Sequence, residues 1–66
     1  MLTEEGLRAL LRFTLKTVGP ADLPELVSSL CSYFTDLKPA VIHGALNDLL
    51  VDGLIELDKN GRYYTP

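Results

Sequence analysis

Lys38, His43 and Asn47 set an ammonium, an imidazole and an amide along one short stretch, and Lys59, Asn60 and Arg62 add two cations and a second amide further on. Such groups are hydrogen-bond donors that could form a small polar reading face, and the plainer alternative is a set of solvated side chains on the outer side of a helix. A third set, Arg8, Arg12 and Lys16, recurs every four residues and so lines one side of a helix. Like charges at that spacing cost a few tenths of a kcal/mol per pair, which hints at an acidic partner or phosphates. Glu4 stands four before Arg8, however, and Lys16 falls near a helix C-terminus, where a cation is welcome. The plainer reading is a solvated face.

Bond-breaking chemistry has little to work with. One histidine and one cysteine give almost no basis for a metal site or a histidine-centred catalytic group. Asp22 and Glu25 have the spacing of a helix-capping pair. The glycines mark turns and build no phosphate-cradling loop. A body this small is expected to have little room for a cleft of roughly 300 Å³ or more. No enzymatic activity, metal or cofactor is therefore expected.

The 66 residues form one domain near the lower size limit for folding without staples. A hydrophobic content of 47% suits a packed core and argues against disorder. The lone thiol, Cys31, excludes an intrachain disulfide and suits a reducing compartment, cytoplasm or nucleus. Glu4 and Glu5 stand where a targeting peptide has a basic start, so secretion is not expected. The apolar runs are only a few residues long, too short to span a membrane. A net charge of −3 counts against tight autonomous binding to nucleic acid, though a local basic patch can act within an acidic whole.

Three helices must position these side chains. The first is predicted over residues 4–17, with Thr3 as N-cap, a buried stripe of Leu7, Leu10, Leu11, Thr14 and Val18, and a stop at Gly19-Pro20. The second is predicted over residues 23–34, with Asp22 and Glu25 as its cap, Pro24 in its first turn, and a stripe of Leu23, Leu26, Val27, Leu30, Cys31 and Phe34. The short segment at Ala21 is extended and suits a small extra strand. The third helix starts after Asp36, carries Val41, Ile42, Ala45, Leu46, Leu49 and Leu50, and ends at Asp52 before Gly53. The link at residues 35–37 is so short that helices two and three must cross steeply.

A hairpin follows: Leu54–Leu57, a turn at Asp58–Gly61, and Arg62–Thr65. A two-residue type I′ turn at Asn60-Gly61 pairs Leu57 with Tyr64 and Asp58 with Tyr63. Ile55, Leu57 and Tyr64 then face the helices and Tyr63 faces outward. A type I turn with a bulged Gly61 shifts the pairing by one residue and spoils that apolar face, so the first register is preferred.

The order helix, extended link, helix, short turn, helix, hairpin resembles the winged helix-turn-helix superfamily. Its most specific piece is Ala45-Leu46-Asn47-Asp48-Leu49-Leu50-Val51-Asp52-Gly53-Leu54-Ile55-Glu56, followed by Asn60-Gly61-Arg62-Tyr63-Tyr64-Thr65. The resemblance implies an α+β, mainly helical fold: a three-helix bundle with a helix-turn-helix and a C-terminal β-wing of two or three strands. It also implies that the third helix enters the major groove of duplex DNA and that the wing touches the backbone or minor groove. Carried over, Lys38, Pro39, Ala40, His43, Gly44 and Asn47 would face the groove, with Lys59, Asn60 and Arg62 on the wing. The chain departs from that pattern in having no arginine or glutamine on this helix, while Asp48 and Asp52 repel phosphate.

Two functions stay open. One is a non-enzymatic module on DNA, a small regulator or part of a nucleoprotein assembly. The other is a protein–protein adaptor or self-associating unit, using an apolar patch at Val51, Leu54 and Tyr63 with Tyr33 nearby. Monomer and homodimer are both compatible with the sequence.

Overall fold

Thr3 opens the first helix as expected: its hydroxyl accepts the Gly6 N–H at 2.9 Å. A computed structural model describes residues 2–66 and gives the order α1 (Glu4–Val18), β1 (Ala21–Asp22), α2 (Leu23–Tyr33), α3 (Pro39–Val51), β2 (Glu56–Leu57) and β3 (Arg62–Tyr64). At the start of α2 the Asp22 carboxylate accepts the Glu25 N–H, and the Glu25 carboxylate accepts the Asp22 N–H, at 2.9 and 3.3 Å. Both halves of the capping box are therefore present. In the turn after α2 the Cys31 thiol donates to the Leu37 carbonyl at 3.2 Å. That contact gives the single cysteine a local structural task.

The end of α3 explains the Gly-Leu-Ile sequence. Gly53, at φ +74°, donates to the Leu50 carbonyl, and Leu54 donates to that of Leu49, both at 3.0 Å. This is a Schellman stop, which satisfies two orphan carbonyls and needs the left-handed conformation that glycine adopts cheaply. The chain then drops Ile55 into the core.

Leu7, Leu11 and Leu15 of α1, Leu26 and Leu30 of α2, and Ile42, Ala45, Leu46 and Leu49 of α3 form one buried cluster with Ala21, Ile55 and Tyr63. The stripe expected on α1 is thus turned toward Leu15. Leu10 is half-buried, and so is Thr14, whose hydroxyl donates to the Leu10 carbonyl at 2.8 Å. Val18 is exposed because it lies at the helix terminus, beyond the body that covers Leu15. Phe34 and Val41 are exposed rather than buried.

The three strands form one antiparallel sheet in the order β1-β3-β2. The extra strand at Ala21 is present and pairs with Tyr63. The hairpin takes the register that the sequence argument rejected: Leu57 pairs with Tyr63 and Glu56 with Tyr64. A type I′ turn needs positive φ at Asn60, and among the described residues only Gly19, Gly53 and Gly61 have it. Asp58 decides the matter. Its carboxylate accepts the N–H groups of Asn60 and Arg62 at 2.8 and 2.9 Å, while its carbonyl accepts that of Gly61 at 3.1 Å. These bonds close a tight turn with a bulged glycine. Tyr63 therefore points inward at 6% exposure, Tyr64 is half-buried on the other face, and Leu57 is left at the exposed rim.

The result is an α+β arrangement of three helices and a small antiparallel sheet, compatible with a winged-helix layout. No described helix is long and apolar enough to cross a membrane.

Two substitutions test the turn by urea unfolding. Asp58→Ala, which leaves two exposed N–H groups to water, should cost about 0.5–1.5 kcal/mol. Gly61→Ala forces a side chain into positive φ and should cost about 1 kcal/mol. If neither changes stability, the type I geometry is wrong.

Candidate functional site

Ala40, His43, Gly44, Asn47 and Val51 follow each other at three- and four-residue steps, so α3 presents them as one stripe. All five are exposed, as are Lys38 and Pro39 at the start of the helix. Opposite them, Ile42, Ala45, Leu46 and Leu49 are buried, which fixes the rotation of the helix. His43 and Asn47 therefore share that open surface, whereas Lys38 is the N-cap at the end of the helix and is exposed outside the stripe.

The acidic residues of α3 lie on its flank. Asp48 falls one step round from Asn47, toward α1, where the Arg8 guanidinium lies 3.9 Å from its carboxylate. With the two side chains 30% and 65% exposed, the pair contributes little to stability, roughly 0–1 kcal/mol. Its effect is local: a cation stands beside the carboxylate that most directly borders the stripe. Asp52 sits at the C-cap.

Gly44 stands mid-helix, where glycine is about 1 kcal/mol worse than alanine. A Cβ added there would meet no heavy atom within 4 Å. Nothing inside the protein requires the glycine, which keeps the middle of the stripe shallow.

On the hairpin, Lys59, Asn60 and Arg62 are exposed around the bulged turn. The carboxylate of Asp58 is occupied by two backbone N–H groups of the same turn. Among the described residues, no hydrogen bond or ion pair joins this group to Lys38, His43 or Asn47.

The expected apolar patch survives in part. Val51 is 86% exposed and Leu54 39%, and Tyr33 is also open. Tyr63 does not belong to it, because the register turns its ring into the core.

One surface was not foreseen. The expectation of no sizeable cleft is corrected by an open groove of about 540 Å³. Ala9, Arg12, Phe13 and Lys16 of α1 line one side, and Leu54 and Pro66 lie across from them. Phe13 is 65% exposed. The available signal was that Phe13 falls outside the four-residue period of Leu7, Leu11 and Leu15, which leaves a large aromatic ring on an outer face.

No family model matches this chain, and comparisons with curated proteins and solved structures likewise find no match.

Gly44→Ala should raise stability by about 0.5–1 kcal/mol in urea unfolding. A loss of stability would mean that the middle of the stripe is packed against something. Asp48→Ala should change stability by less than about 1 kcal/mol, and the change should shrink in high salt.

Proposed function

We propose that this chain is a non-enzymatic winged-helix module that binds duplex DNA, as a small regulator or as part of a nucleoprotein assembly. The outward stripe of α3 enters the major groove, with Lys38, His43 and Asn47 toward the bases and phosphates. Lys59, Asn60 and Arg62 of the hairpin lie along the backbone. The observation that supports this best is where the carboxylates fall. The outward stripe has none: Asp48 is on the flank beside Arg8, and Asp58 is taken up by its own turn. The net charge of −3 is therefore unevenly spread, and a field favourable to phosphate can exist locally.

Binding of this kind is weak and strongly salt-dependent, because few cations replace condensed counterions. Shape and a single asparagine supply little base discrimination, so preference among sequences is small.

A fluorescence titration with a labelled duplex at low salt tests the reading. Lys59→Ala combined with Arg62→Ala should weaken binding. If each cation meets one phosphate, the slope of log K against log salt should fall by about 1.8. Absence of binding at low salt, or affinity untouched by the double substitution, removes the proposal.

A second reading is favoured by Val51, a branched apolar side chain 86% exposed on the same stripe. It makes the stripe, with Leu54, a contact for a protein partner or a second copy of the chain. Val51→Arg separates the two. On DNA the added guanidinium should tighten binding, whereas an apolar protein contact should be lost, with stability unchanged in either case. Sedimentation and the duplex titration, run on the same variant, give the answer.

A further inference from the structure

Arg8, Arg12 and Lys16 share one side of α1, yet they end in different surroundings. Arg8 has Asp48 at 3.9 Å. Arg12 and Lys16 have no carboxylate within 4.0 Å among the described residues, and both line the open groove of about 540 Å³. The rest of the lining is mainly apolar, Ala9, Phe13, Gly53, Leu54 and Pro66, with Thr65 the one further polar side chain. Two adjacent cations on one helix face repel each other, and a ring left 65% exposed forgoes burial. Both costs are relieved by one kind of occupant, a chain segment carrying carboxylates beside an apolar side chain.

We propose that this groove is a docking site for an acidic peptide segment of a partner protein, anchored by one aromatic or large aliphatic residue. The anchor packs between Phe13 and Leu54, and the flanking carboxylates pair with Arg12 and Lys16. Apolar lining beside the cations favours a peptide over a nucleic-acid backbone, which offers a row of phosphates and no aliphatic anchor. This inference does not rest on the duplex reading. It deepens the protein-contact reading by giving the partner a chemistry and a seat away from Val51.

The probe is a short fluorescein-labelled peptide of glutamates around a single phenylalanine, followed by anisotropy at low salt. The full chain should bind it and should ignore the same peptide with lysines in place of the glutamates. Replacing the peptide's phenylalanine by glycine should weaken binding about tenfold, as should Phe13→Ala or Arg12→Gln in the protein, the usual effect of removing an interface anchor. Val51→Ser should leave peptide affinity unchanged, which separates this groove from the α3 stripe. Phe13 and Arg12 are exposed, and unchanged circular-dichroism melting confirms that their variants fold. The proposal is overturned if the peptide does not bind. It is equally overturned if affinity ignores Phe13, or if a single-stranded oligonucleotide competes fully for the same residues. Concentration-dependent self-association abolished by Phe13→Ala would assign the groove to a second copy and also overturn it.

Discussion

The fold depends on one four-residue period. Leu7, Leu11 and Leu15 are all buried, and α1 packs through them against both α3 and β3. Each buried leucine contributes about 1.5–3 kcal/mol relative to an exposed one. In a domain whose net stability is only a few kcal/mol, no part of that stripe is dispensable. The same period sets the surface, because Arg8, Arg12 and Lys16 each follow a stripe leucine by one position. Burying the leucines therefore orders the cations along the edge of α1. The first meets Asp48 on α3, and the other two face the groove beside Leu54.

Most of the fold was legible because its signals are local. Thr3, the Asp22–Glu25 pair and Gly53 each satisfy backbone groups within a few residues of themselves, so their roles follow from short-range chemistry. The hairpin register was not legible by the rule applied to it. Asn60-Gly61 suits a type I′ turn, and the competing signal was Asp58, whose carboxylate can hold two N–H groups of a type I turn. The apolar pattern could not separate the two registers, because Ile55 and Leu57 share a face in both and either Tyr63 or Tyr64 supplies the aromatic beside them. The core needs only Ile55 and Tyr63 from the hairpin, and Leu57 lies where the sheet runs out beyond the helices.

The surfaces divide in the same way. Exposure of His43 and Asn47 followed from the helical period, since the apolar residues of α3 settle its rotation, and Lys38 is exposed as the N-cap beyond it. The groove required knowing that residues near 54 and 65 return beside the outer side of α1, a contact with no signature in sequence spacing. The sequence pattern places Tyr63 at the surface and it lies in the core, a direct consequence of the register. A one-residue slip in a strand exchanges its faces.

Asp22 and Glu25 cap α2, Asp58 closes the hairpin turn, Arg8, Arg12 and Lys16 run along one side of α1 among Glu4, Glu5, Asp48 and Asp52, and the outward stripe of α3 is small, neutral and carboxylate-free. The α3 stripe and the α1 groove are thus surfaces of different character. Amide chemical-shift mapping with a short duplex at low salt tests it most directly. The account predicts shifts at His43, Gly44, Asn47, Lys59 and Arg62, with Ala9, Phe13 and Lys16 unmoved. Shifts confined to the α1 groove, with the α3 stripe silent, would contradict it.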